Sequence, residues 1–288
     1  MSTFSVTVMK KEGGITSYRA LSPLKQAVKG SKVGHTGTLD QFASGIMVAL
    51  TGEATRLNPL FTACDKRYRA ALSFGAETDT LDPEGQVVAS GGRIPKREEV
   101  EAVLPSFIGP CLQVPPVYSA IHIGGKRAYQ EARKGNDVVL EPRPVTIHSL
   151  SLVDYRDGVA IIDAHVGKGT YIRSLGRDIA RALGTYGHLE ALERYKVGPF
   201  GYSDVHGLPA TAEESEENLR KLISTVVEVE YGALRRIANG YLPQGALSLS
   251  GPEGHWAMLY CRGRFIGVLE QRQEGGWRIA ALASREDL

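Results

Sequence analysis

Cysteine is scarce in this chain of 288 residues: Cys64, Cys111 and Cys261 lie far apart with no paired spacing, which excludes a disulfide framework and a cysteine zinc site as its organising device. Long hydrophobic runs are missing too. The longest, such as Gly45 to Leu50, fall far short of the ~20 residues that a helix needs to cross a bilayer, so no membrane span is expected. No basic stretch followed by an apolar one marks the amino terminus, and with reduced cysteines the expected location is the cytoplasm. Charge of one sign is also absent. Thirty-four basic against 32 acidic residues leave a net charge of +2, which argues against a protein that gathers nucleic acid by bulk electrostatics. No internal repeat appears, which excludes a solenoid or propeller array.

The chain instead mixes strand and helix patterns without regular βαβ spacing, which predicts an α+β (mixed α/β) fold rather than a doubly wound parallel sheet. Phe4 to Val8 reads as a first strand. Ser22-Pro23 is a helix start with Gly30 as its stop, or else the helix begins at Ser17 and Pro23 kinks it. Gly34 to Gly45 reads as an ordered loop feeding an apolar strand, Ile46 to Leu50. In the next strand Tyr68, Ala70, Leu72 and Phe74 alternate with Arg67, Arg69, Ala71 and Ser73, which puts Tyr68 on the apolar face. Ser119 to Ile123 starts a hairpin that leads into a helix ending near Gly135. A second hairpin runs from Val145 to Asp154 and from Val159 to Val166 around Asp157-Gly158, and a helix from Gly169 to Leu183 carries Ile172, Leu175, Ile179 and Leu183 as a buried stripe.

The acidic stretch with Glu213, Glu214, Glu216, Glu217, Glu228 and Glu230 marks a change of character. The expected units are therefore residues 1–207, a helical connector at 208–238, and a small β unit at 239–288 with strands at Ala257 to Cys261, Phe265 to Glu270 and Trp277 to Ala280.

Two segments could carry chemistry. Gly34-His35-Thr36-Gly37-Thr38-Leu39-Asp40 combines two glycines, two hydroxyls, a histidine and a carboxylate, and on its own Asp40 reads equally as a turn or helix cap. Gly167-Lys168-Gly169-Thr170-Tyr171-Ile172-Arg173 has the look of a phosphate loop. The Walker pattern, however, needs glycine where Ile162 stands and a hydroxyl where Gly169 stands, so nucleoside triphosphate binding is rejected. What remains is a glycine turn that opens a helix and presents Tyr171 and Arg173.

Taken in order, several separated motifs resemble those of the TruB family of tRNA pseudouridine synthases, of the bacterial stand-alone type. They are Gly14-Ile15-Thr16-Ser17 after a lysine pair; the Gly34 to Asp40 loop; Gly52-Glu53-Ala54-Thr55; Lys66-Arg67-Tyr68; Gly75 to Thr80 with Asp82 and Gly85; Gln113 to Ala120; Gly125 to Tyr129; Lys168 to Leu175; and Val197-Gly198-Pro199-Phe200. The match spans residues 10 to 200. The chain departs from the family pattern at Glu12 and Gln41, where proline is usual, and at Glu193, where arginine is usual. Loss of the two prolines is expected to loosen the loops beside the site.

The resemblance implies a pseudouridine synthase catalytic sheet flanked by helices and followed by a small PUA-like β domain. It implies a cofactor-free isomerase that converts uridine 55 in the T-loop of tRNA, with no metal and no guide RNA, acting as a monomer. The other reading kept open is a non-catalytic tRNA-binding or tRNA-folding protein of the same fold. In the implied site Asp40 is the essential carboxylate, Arg173 pairs with it, and Tyr68 stacks on the base and helps move the C5 proton. Tyr171 and Leu192 line the uracil pocket, although Leu192 alone reads as core. His35, as a neutral ring, enters the space left by a flipped base, and Lys11 contacts RNA. Lys10, Lys25, Lys29, Lys32, Lys126, Arg127, Arg133 and Lys134 are candidate phosphate contacts, and Arg262 and Arg264 are candidate RNA contacts of the terminal unit.

Overall fold

A computed structural model describes residues 4–119, 122–123, 126–127, 140–242, 255–272 and 276–283. Its backbone is a mixed, mostly antiparallel sheet of eight strands. In chain order these are β1 (Ser5–Lys11), β2 (Val33–His35), β3 (Ser44–Thr51), β4 (Lys66–Phe74), β7 (Gly109–Gln113), β10 (Arg143–Arg156), β11 (Val159–Val166) and β12 (Gly187–Val197). Two small hairpins supply the intervening strands: β5 (Ala76–Thr78) with β6 (Val87–Ser90), and β8 (His122–Ile123) with β9 (Lys126–Arg127). The spatial order of the large sheet is β1-β3-β12-β4-β11-β10-β7, with β2 paired to β3.

The two ends of this sheet are covered differently, and the sequence patterns follow from that. On β4 the alternate residues Tyr68, Ala70, Leu72 and Phe74 are buried, and they pack with Ile172, Leu175 and Ile179 of a helix spanning Ile172–Ala182. The opposite face carries Arg67, Arg69, Ala71 and Ser73, none of them buried, so hydrophobicity alternates. The β1–β3 end is buried on both faces. Met47 and Ala49 join the helix-side core, whereas Ile46, Val48 and Leu50 join Val6 and Val8 in a second core on the reverse side. A strand covered twice needs no polar face, which explains the unbroken apolar run from Ile46 to Leu50.

That second core is completed by the carboxy-terminal unit. Strands β13 (Val226–Glu228), β14 (Trp256–Cys261), β15 (Arg264–Gln271) and β16 (Trp277–Leu282) form a four-stranded sheet, and Met258, Tyr260, Val268 and Ala281 pack against Val6, Val8 and Phe61. The terminal sheet therefore begins inside the segment expected to be a helical connector, because Val226–Glu228 pairs in parallel with β14. The acidic helix of that segment, Ala212–Arg220, closes the open edge of the large sheet. Its Ser215 hydroxyl accepts from the Val6 amide at 3.1 Å and its Asn218 amide donates to the Val6 carbonyl at 2.9 Å, so two side chains satisfy the backbone groups that a neighbouring strand would otherwise pair.

Near the amino terminus both helix readings hold in part. Ser17–Ala20 and Ser22–Ala27 are separate short helices divided at Leu21, the first capped by the Thr16 hydroxyl, which accepts from the Arg19 amide at 3.2 Å. The Asp157-Gly158 turn has positive φ at both residues (51° and 77°), the geometry that joins a two-residue hairpin. The helix expected to end near Gly135 lies outside the described residues, as do Arg133 and Lys134. Among the described residues no helix is long and apolar enough to cross a membrane.

Candidate active site

The loop between β2 and β3 carries Asp40, and three buried side chains hold it through its backbone. The Ser17 hydroxyl and the Leu39 main chain exchange two 2.9 Å hydrogen bonds. From β12, Arg194 donates to the carbonyls of Gly37 at 3.0 Å and Ile46 at 2.9 Å. Lys11, at the end of β1, donates to the Gln41 carbonyl at 3.2 Å, to that of Glu12 at 3.0 Å, and to that of Ala43. Lys11 is 0% exposed, and burial lowers its pKa although Asp40 and Glu84 oppose this. Its ammonium thus faces the inside of the Asp40 loop rather than a solvent-side phosphate, which differs from the expected RNA contact. Gln41, where the family has proline, keeps its carbonyl engaged by Lys11 and by the Gly14 amide at 2.8 Å, so the loop is pinned despite the missing ring.

Arg173 enters from the first turn of the helix Ile172–Ala182 and is 4% exposed. Its Nη2 donates to Asp40 Oδ1 at 2.9 Å, and its Nε lies 2.9 Å from Oδ2, so the guanidinium edge faces both carboxylate oxygens. The same group donates to the carbonyls of Thr80 at 2.7 Å and Tyr118 at 3.0 Å, and its Nη1 lies 3.1 Å from a second carboxylate, Asp82. All five N–H groups of the arginine therefore face an acceptor, which a lysine could not reproduce. Asp82, itself buried, is fixed by the Thr80 hydroxyl at 2.6 Å and the Glu84 amide at 3.0 Å.

Two carboxylates around one guanidinium leave a net negative charge in a partly closed space. Burial raises the Asp40 pKa above the ordinary carboxylate value; Arg173 and Lys11 pull it down, while Asp82 pushes it up. The Asp40 side chain keeps 34% of its surface exposed, which leaves it open to a ligand.

Asp40, Asp82 and Arg173 line a cleft of about 800 Å³ together with Tyr68, Tyr171 and Lys66, a size that admits a nucleoside. Tyr68 projects from β4 and is 8% exposed, sharing the core beneath it. Tyr171 precedes the helix, its main chain bracketed by the buried Gln113 side chain, which accepts from the Tyr171 amide at 2.9 Å and donates to its carbonyl at 3.1 Å. Burial raises the Tyr171 pKa, keeping the phenol neutral. Lys66 sits at the cleft wall with its pKa pushed down to about 8 by burial, donating to the Thr62 carbonyl at 2.8 Å.

Of the residues expected at the site, the structure therefore gathers Asp40, Arg173, Tyr68 and Tyr171 into one cleft. His35 and Leu192 are not among its lining residues. His35 is half-buried on β2, and burial with the charges of Arg194 and Lys25 lowers its pKa. Leu192 is 7% exposed and belongs to the core that contains Tyr68. The basic residues are variously engaged. Lys25 lies over the Tyr18 ring at 3.2 Å, Lys10 pairs with Glu12 at 2.9 Å, and Arg262 stacks on Tyr231 at 4.3 Å. Asp82 and Arg194 were missed as site residues. Asp82 stands within a quoted motif, but nothing in its spacing marks it as a partner of Arg173. Arg194 acts only on backbone carbonyls and leaves no local pattern.

A family described as TruB family pseudouridylate synthase (N terminal domain) matches residues 25–172. The tRNA pseudouridine synthase B of Bradyrhizobium diazoefficiens is 49% identical over 199 residues, covering 69% of this chain and 58% of that protein. That of Zymomonas mobilis is 48% identical over 198 residues, covering 67% and 65%, and that of Borreliella burgdorferi is 41% identical over 199 residues, covering 68% and 71%. The chain thus matches 58% and 65% of the lengths of the first two of these relatives. Among solved structures, a chain of a Cbf5-Nop10-Gar1 complex superposes with a TM-score of 0.70 at 20% identity, over 99% of this chain and 86% of that one. A chain of an H/ACA RNP bound to a substrate RNA containing 2'-deoxyuridine gives 0.69 at 17% identity, over 98% and 85%. At such identities these two show the fold alone, including the small C-terminal β unit. The matched domain and the identity to these relatives establish that the chain belongs to the TruB family.

Proposed function

We propose that the protein is a tRNA pseudouridine synthase that isomerises uridine 55 in the T-loop of tRNA, acting in the cytoplasm as a monomer without guide RNA or cofactor. The observation that carries this reading is the Asp40–Arg173 pair, set in a nucleoside-sized cleft with two tyrosines, on a chain whose relatives are named tRNA pseudouridine synthase B.

The reaction breaks the N1–C1′ bond of uridine, turns the base, forms a C5–C1′ bond and releases the C5 proton, so atoms balance without redox chemistry. Asp40 starts it, either as a nucleophile or by removing a sugar proton. Both routes need an ionised carboxylate, and Arg173 keeps Asp40 ionised and aimed at the cleft. Tyr68 stacks on the uracil and takes part in transfer of the C5 proton, with Tyr171 beside it. A T-loop uridine must leave its stack to reach this depth, and His35 on the adjoining strand is the ring offered to the vacated space. With a whole-chain charge of only +2, recognition rests on RNA shape and the flipped base rather than on long-range attraction.

Mapping pseudouridine in total tRNA from cells with and without this chain tests the assignment. Loss confined to the T-loop position is expected, and loss at a different position would assign another substrate.

A further inference from the structure

On the face of the sheet opposite Tyr68, three metal-binding side chains from three strand segments converge, and none of them belongs to the cleft. Asp65 immediately precedes β4, His148 lies on β10 and His165 on β11. The Nε2 of His148 lies 3.3 Å from Asp65 Oδ1, and the Nε2 of His165 lies 3.7 Å from Asp65 Oδ2. One ligand atom from each residue falls within 4.8 Å of the other two. The imidazole rings are 4.7 Å apart and tilted by 44°.

This convergence has a backbone cause. The β10–β11 pairing slips between Ile147 and Ser149, which makes His148 the extra residue of a bulge, and a bulge re-aims the side chain it carries. Asp65 is fixed by its own carbonyl, which accepts from the Gly198 amide at 2.7 Å. All three side chains keep access to solvent, at 37%, 26% and 46% exposure for His148, His165 and Asp65.

The geometry points to a site for one divalent transition ion of the zinc class, bound by His148 Nε2, His165 Nε2 and an Asp65 carboxylate oxygen, with water completing the shell. Bonds of about 2.0–2.1 Å to a tetrahedral centre place ligand atoms about 3.3 Å apart, which the His148–Asp65 distance already meets and the His165–Asp65 distance nearly meets. Two imidazoles with a single carboxylate suit zinc, nickel or copper, whereas calcium and magnesium require more oxygens. Arg67, whose charge acts on His165, is the main opposing group, and Asp163 on the same face is occupied by Arg69 at 3.0 Å and by the Tyr195 hydroxyl. A bound ion would tie the ends of β4, β10 and β11 together just ahead of the residue, Tyr68, that β4 delivers to the cleft. The site stands apart from the proposed isomerase reading and takes no part in its chemistry.

The test uses the full chain without an affinity tag, stripped of metal, and titrated with Zn2+ against a chromogenic chelator and with Co2+ by visible absorption. One equivalent of Zn2+, cobalt ligand-field bands of a four-coordinate site, and a zinc-dependent rise in melting temperature are expected. His148→Gln, His165→Gln and Asp65→Asn should each weaken Zn2+ binding by at least about tenfold, the lower bound of what even an outer-sphere partner contributes. His255→Gln should leave it unchanged. Because the three positions are partly exposed, circular dichroism of each variant should match the parent. Absence of stoichiometric zinc binding, or equal affinity in a His148→Gln/His165→Gln double variant, would overturn the proposal.

Discussion

Asp40 and Asp82 share one guanidinium, and that sharing sets the proton affinity of the carboxylate that matters. Arg173 offers two nitrogens to Asp40 and one to Asp82, while its remaining capacity goes to the Thr80 and Tyr118 carbonyls, so it stays in place whichever acid is altered. Burial and the Asp82 charge raise the Asp40 pKa. The proposed chemistry needs Asp40 ionised, so the rate should fall as pH drops through that raised value. Asp82→Asn keeps an acceptor oxygen for Thr80 and Glu84 and removes the charge. Its expected effect is a shift of the acid limb of the rate profile to lower pH by about one unit. An acid limb that stays in place would show that a different group governs it. Asp82 and Arg194 also mark where residue-level reading stopped: a carboxylate that meets its arginine across 91 residues of chain, and an arginine that binds only carbonyls, have no signature in composition or spacing. Lys11 was legible as a basic residue of the first motif, but its burial depends on the Asp40 loop folding over it.

At the scale of elements, the close approach of β3 and β12 fixes the geometry of the Asp40 loop. The two strands run parallel where Glu193 pairs with Ser44 and Arg194 with Gly45, and this contact brings the Arg194 side chain under the loop. Gly45 has φ +118°, and a β-carbon there would lie 2.2 Å from the Arg194 carbonyl oxygen. Gly45→Ala is therefore expected to cost about 3 kcal/mol or more through backbone strain and overpacking together, measured by denaturant unfolding. A cost below about 1 kcal/mol would show that the strands can part without consequence. Strand existence was legible where one face is wet, as in the alternation from Arg67 to Phe74, and at the Asp157-Gly158 turn, where local chemistry decides the conformation. The order β1-β3-β12-β4-β11-β10-β7 was not legible, because each placement joins segments far apart in the chain and no local period records it. The short helices Ser17–Ala20 and Ser22–Ala27 fell between two readings because Pro23 both ends one helix and opens the next.

At the scale of the molecule, the terminal sheet is part of the same core as β1 and β3. Met258 and Val268 are fully buried against a cluster that includes Val6, Val8, Ile46 and Leu50. The acidic composition of residues 213–230 marked a surface helix correctly but concealed β13, a three-residue strand too short to show a period. Met258→Ala should therefore destabilise the whole chain by about 2–5 kcal/mol, with fluorescence and circular dichroism reporting one coincident transition. Two separate transitions would show that the terminal unit unfolds on its own. The central claim concerns the whole assembly of cleft, loop and sheet: a TruB-family chain in which Asp40 initiates uridine isomerisation. Its most direct measurement is pseudouridine formation in a T-stem-loop transcript by the parent and by Asp40→Asn, alongside RNA binding by both. The account predicts modification by the parent at the T-loop uridine, a rate lower by about 10⁴-fold or more in the variant, and binding retained within a few fold. Turnover by Asp40→Asn equal to that of the parent would contradict it.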